Sequence, residues 1–116
     1  MNPRKTEQIA NRIQVLVSEI LSREVSDPRL STLVMNRVDL ARDGSYAKIF
    51  VSSYMPEADG EDIEKALKRA AGYIRKLLAG KLDLRIVPEL RFKWDNSVKE
   101  GEEVLSALRK LNMGED

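Results

Sequence analysis

Four cations bracket three small residues in this chain: Lys68, Arg69, Arg75 and Lys76 stand around Ala70, Ala71 and Gly72. Such a cluster suits a phosphate chain, because the cations neutralise charge while a backbone without bulky side chains lets the ligand come near. A glycine inside a helix costs about 1 kcal/mol relative to alanine, so Gly72 implies a bend and a close approach, either by another helix or by a ligand. A Gly72→Val change is expected to harm both folding and binding. Since a helix turns about 100° per residue, Arg69 and Lys76 share one face, and Lys68 and Arg75 share the face beside it. These four are the leading candidate phosphate ligands. Lys81, Arg85, Arg91 and Lys93 form a second set, and Arg4, Lys5 and Arg12 a weaker third.

The net charge of +1 conceals a segregation. Residues 65 to 93 carry nine cations (the eight of the two leading sets and Lys65) against Asp83 and Glu89. Just before them, Glu57, Asp59, Glu61, Asp62 and Glu64 stand together without a cation. A local basic segment on a near-neutral chain is an electrostatic footprint of the kind nucleic acid needs, with a solvated helix face as the plainer reading. The acidic run has its own structural explanation at a helix start, with Asp59 as N-cap and the others favourable to the helix dipole.

Histidine and cysteine are both absent. That removes thiolate chemistry, disulfides, the usual zinc ligands and the commonest base near neutral pH. No metal site or cofactor is expected, and an enzyme is disfavoured. A magnesium-dependent hydrolase would need carboxylates converging from separate elements, whereas these crowd at one helix start. The N-terminus lacks an apolar signal core and no run reaches membrane-spanning length, so the expectation is a cytoplasmic monomer without membrane contact. At 116 residues the chain is read as one domain, residues 1–116.

The elements that must position the cations follow from periodicity. Ile9, Ile13, Leu16, Val17, Ile20 and Leu21 mark a helix from Arg4 to Arg23, ended by the segment Ser26, Asp27, Pro28 and Arg29. In that segment Asp27 is read as capping a turn and Arg29 as pairing with a carboxylate. Leu33–Leu40 and Tyr46–Tyr54 read as a hairpin about Asp43 and Gly44. In the first strand Val34, Val38 and Leu40 alternate with Met35, Arg37 and Asp39. The stripe Ile63, Ala66, Leu67, Ala70, Ile74, Leu77 and Leu78 marks a kinked helix to about Ala79, with Gly80 as its C-terminal cap. A third strand spans Leu84–Asp95 with Pro88 at an edge or bulge, and a short helix spans Val98–Leu111. Trp94 is read as core, while Tyr46, Phe50 and Tyr54 either stack on bases or lie under the last helix.

Helices on one face of a three-stranded mixed sheet make an α+β fold whose order resembles the type II KH domain, with Ala70, Ala71 and Gly72 where ordinary KH domains carry a Gly-x-x-Gly loop. Four segments in register sharpen the resemblance: ArgGluValSerAspProArgLeu at 23–30, AspGlySerTyrAlaLysIlePheVal at 43–51, AlaAlaGlyTyrIleArgLysLeuLeu at 70–78, and LeuArgIleValProGluLeuArgPheLysTrpAspAsnSer at 84–97. Together they resemble the bacterial ribosome-binding factor A family, whose Ala-x-Gly kink corresponds to Ala70 and Gly72. The resemblance implies a non-enzymatic assembly factor that binds the free 30S ribosomal subunit and supports late 16S rRNA maturation, 5′-end processing and growth in the cold. Many members carry a longer charged tail than this chain. Read from the residues alone, a small α+β regulatory or protein-interaction module is the alternative.

Overall fold

Helix α1 (Pro3–Arg23) begins where Asn2 caps it, the Asn2 side chain accepting the Lys5 N–H at 2.8 Å, with proline in the first turn. Its apolar stripe is buried as a continuous seam from Ala10 to Leu21. The computed structural model describes residues 2–55 and 57–95.

A four-residue helix, α2 (Pro28–Ser31), follows where the sequence suggests only a terminator. Its signal was present: Asp27 accepts the Arg29 N–H at 3.0 Å and Pro28 supplies the preset first helical angle. Arg29 then forks, its Nη2 donating to Asp27 at 2.7 Å and its Nη1 to Asp62 at 2.8 Å. This ties α2 to the first turn of α3 (Gly60–Ala79) and gives Arg29 the carboxylate partner expected of it.

The hairpin pairs β1 (Leu33–Leu40) with β2 (Tyr46–Ser53) antiparallel. Gly44 alone among the described residues has a positive φ, 75°, which the turn requires. Asp43 accepts both the Ser45 hydroxyl, at 2.7 Å, and its N–H, at 3.0 Å. One expectation about β1 changes: its register shifts between Met35 and Arg37 because of an irregularity at Asn36, so Met35 rather than Val34 joins Val38 in the core.

Side-chain hydrogen bonds from Arg29 and Ser45 hold the Asp27 and Asp43 carboxyls below their ordinary value. A depressed folded pKa contributes stability above the unfolded value and loses it as pH falls through the folded one. Thermal melts should therefore show stability declining below about pH 4, less steeply for Asp43→Asn than for the wild type.

After β2 the chain crosses through α3 and returns as β3 (Glu89–Trp94), parallel to β2, giving the order β1-β2-β3. A parallel neighbour needs such a crossover. The third strand is shorter than the sequence reading, since 84–88 lead into it as irregular backbone. Pro88 is buried just before the strand, where it has no N–H to give to a ladder. Asp59 caps α3 by accepting the N–H groups of Glu61 and Asp62, as expected. The buried apolar side chains of the described residues form one cluster, in which α1 and α3 cover one face of the sheet through Ala47, Ile49, Val51, Leu90 and Phe92. The fold class is thus α+β, with helices and a three-stranded sheet consistent with a KH-like fold. The sequence-based helix at Val98–Leu111 lies outside the described residues.

Two glycines of α3 differ sharply. Gly60 sits under the Trp94 ring, where a Cβ would lie 2.5 Å from ring atoms. This contact sets the distance of the helix start from the end of β3. Trp94, read as core, is half-buried against it. Gly72 is exposed and a Cβ there would meet nothing within 4 Å.

Candidate nucleic-acid interface

Helix α3 runs without a break through Ala70, Ala71 and Gly72, so two helices separated by a turn are not what these residues make here. The reason is the stripe on either side: Ile63, Ala66 and Leu67 before the small residues, and Ile74 and Leu78 after them, are buried in the same core. One glycine costs too little to interrupt that packing. The folding half of the Gly72 expectation is corrected accordingly. Gly72→Ala should raise stability by about 1 kcal/mol in a urea melt; a loss instead would mean that the backbone there is held in a conformation alanine resists.

Between α3 and β3 lies an open groove of about 590 Å3. Lys65, Lys68 and Arg75 project from the helix wall, and Arg91 and Lys93 line it from the strand. Ala71 and Gly72 lie along the same wall, leaving backbone accessible between the cations. Since β3 is the sheet edge, Arg91 and Lys93 reach the groove although they alternate with the core-facing Leu90 and Phe92.

Glu61, Glu64 and Glu89 also line the groove, but each is already engaged. Glu61 lies 4.0 Å from Lys65, Glu89 lies 3.6 Å from Arg91, and Glu64 accepts the Trp94 N–H at 3.4 Å. Arg75 donates to the Val87 carbonyl at 2.7 Å, so it both pins the loop before β3 and offers its remaining N–H groups outward. Lys68 and Lys93 have no carboxylate partner among the described residues. They are the cations best placed to meet a phosphate from opposite walls.

The eight candidate cations are all exposed, but they do not form one patch. Lys68, Arg75, Arg91 and Lys93 share the groove. Arg69 and Lys76 lie further round α3, and Arg69 is close enough to Asp27 for its charge to act on that carboxyl. Arg85 is on irregular backbone, not on the third strand, and lines a separate depression with Lys5, Asp43 and Asp83. Lys81 lies in the turn after α3. Lys65 is a groove residue that the sequence reading passed over; its position three residues before Lys68 and seven before Gly72 was the available signal. Among the described residues no cluster of three or more carboxylates could hold a metal ion, and no helix is long and apolar enough to cross a membrane.

Comparison with known proteins agrees with this architecture. The family model for ribosome-binding factor A matches residues 5–108. A ribosome-binding factor A from Natranaerobius thermophilus is 35% identical over 116 residues, covering 100% of this chain and 88% of its own length. The crystal structure of ribosome-binding factor A from Thermus thermophilus superposes with a TM-score of 0.68 at 27% identity, over 77% of this chain and 93% of that one. A homology model of the Thermus thermophilus protein, fitted into the cryo-EM map of its 30S complex, superposes with a TM-score of 0.63 at 26% identity, over 75% of this chain and 91% of that one.

Proposed function

Because this chain belongs to the ribosome-binding factor A family, we propose that it binds the free 30S ribosomal subunit and supports late maturation of 16S rRNA, including its 5′ end. The observation that carries the site is the α3/β3 groove, in which Lys68, Arg75 and Lys93 flank the bare backbone at Gly72. Phosphates of folded RNA seat between the two walls, with Lys68 and Lys93 neutralising charge and Arg75 donating N–H groups. Recognition is by backbone and shape, because cations on a helix and a strand edge position a phosphate path without reading base edges.

The protein acts as a cytoplasmic monomer, as a single domain and without a cofactor, and breaks no bond. A binder of this kind changes an RNA folding equilibrium by its preference for one conformation, and only to the extent of that preference. It holds an immature arrangement of the subunit and leaves when that arrangement disappears, an activity that would matter most in the cold, where misfolded RNA persists. Co-sedimentation with free small subunits and with assembled ribosomes tests the reading. Migration with the free subunit alone, weakened by salt, is expected; equal migration with both, or with neither, contradicts it.

A further inference from the structure

The sheet face turned away from α1 and α3 carries the same small device twice. On β1, Arg37 lies over the Phe50 ring with its guanidinium carbon 4.2 Å from the ring centre, and its Nε meets Asp39 at 3.2 Å. On β3, Arg91 lies over the Tyr46 ring at 4.0 Å, and its Nε meets Glu89 at 3.6 Å. In each case the arginine is held over an aromatic ring and steadied by a carboxylate two residues away on its own strand. Both side chains remain exposed on their outer side, at 63% and 44%. Their terminal nitrogens have no other partner among the described residues.

Resting on the reading that this chain binds ribosomal RNA, we propose that this face is a second RNA contact, where unpaired bases stack on the outer planes of Arg37 and Arg91. A guanidinium is a known stacking surface for splayed bases, and a ring beneath it removes the cost of ordering it at the moment of binding. Lys48 stands between Tyr46 and Phe50 on β2, in register with both Asp39 and Arg91, and so lies where the phosphates joining two stacked bases would pass. With Arg37, Lys48, Arg91 and Lys93 against Asp39, Glu89 and Asp95, whose carboxylate accepts from Asn36 of β1, the face is net positive, as a polyanion requires. Tyr46 and Phe50 are ~13 Å apart along the strand, several times the ~3.4 Å spacing of a stacked strand. The two platforms therefore take bases pulled out of a helix. Arg91 and Lys93 belong to both the face and the groove, so one RNA can continue from the phosphate path onto the sheet.

The test compares the full chain with an Arg37→Lys variant, which keeps the charge and loses the plane at a residue outside the groove. The probes are fluorescent decauridine and an abasic ribose-phosphate chain of equal length. Affinity for decauridine should fall roughly tenfold, with the abasic chain and the salt slope unaffected. Equal losses on both probes, or none on either, would overturn the proposal. In the wild type, photocrosslinks from 4-thiouridine should map to the peptides holding Tyr46 and Phe50; their absence also overturns it. So would protection of these rings from hydroxyl-radical oxidation in the free protein, which would assign the face to the chain's own residues 96–116. If the Arg37→Lys variant binds small subunits and decauridine as the wild type does, this inference fails and the groove reading stands. If the wild type fails to bind subunits, the groove reading fails, while the decauridine comparison still decides the stacking.

Discussion

Replacing Lys68 and Lys93 together by glutamate should weaken binding to free small ribosomal subunits by about a hundredfold at physiological salt. A hydrogen bond to a charged group contributes about 1.5 kcal/mol or more, close to a factor of ten for each lysine. Glutamate adds repulsion to that loss. The plot of log affinity against log salt should also become shallower, by about one unit for each phosphate contact removed. Both side chains are exposed and lack carboxylate partners among the described residues, so the fold should be unaffected. A thermal melt matching the wild type checks this. An affinity that stays within twofold of wild type would move the RNA contact out of the groove.

The second large effect is structural. Gly60→Val should destabilise the protein by about 2–3 kcal/mol, because its Cβ falls 2.5 Å from the Trp94 ring. Trp94 is the sole tryptophan, which makes the displacement directly visible. Its emission should shift to the red in the folded variant as the ring moves towards water, and the urea midpoint should fall. The consequence reaches function, since the Gly60–Trp94 contact fixes the top of α3 against the end of β3 and thereby the width of the groove. Unchanged emission together with an unchanged midpoint would contradict this role.

Local patterns carried much of the fold into view. The stripes of α1 and α3, the Asp59 cap and the Asp43–Gly44 hairpin depend on neighbours within a few residues, and sequence displays these directly. What stayed hidden depends on pairing across the chain. The irregularity at Asn36 exchanges Val34 for Met35 in the core because of how β1 meets β2, and no alternation within β1 reveals it. The start of β3 is set by Pro88, whose burial comes from tertiary packing.

The candidate site divides in the same way. Charge segregation pointed to the segment whose cations line the groove, and the pairing of Lys68 with Arg75 on its helix wall followed from the helical turn. The separation of Arg85 and Lys81 from the groove was not visible, because it depends on where β3 begins. Nor was the restraint of Arg75 by the Val87 carbonyl, a contact between a helix and a loop twelve residues on. Gly72 was read as a bend because glycine is rare within helices; the packed stripe on both sides carries one continuous helix, Gly60–Ala79, through that position.

Seating of the α3/β3 groove on folded 16S rRNA of the free small subunit is tested most directly by chemical footprinting of that RNA, with the wild-type chain and with the Lys68→Glu, Lys93→Glu variant. A compact set of nucleotides should be protected by the wild type and released in the variant. Protections that persist unchanged in the variant, or no protection by the wild type at all, would contradict it.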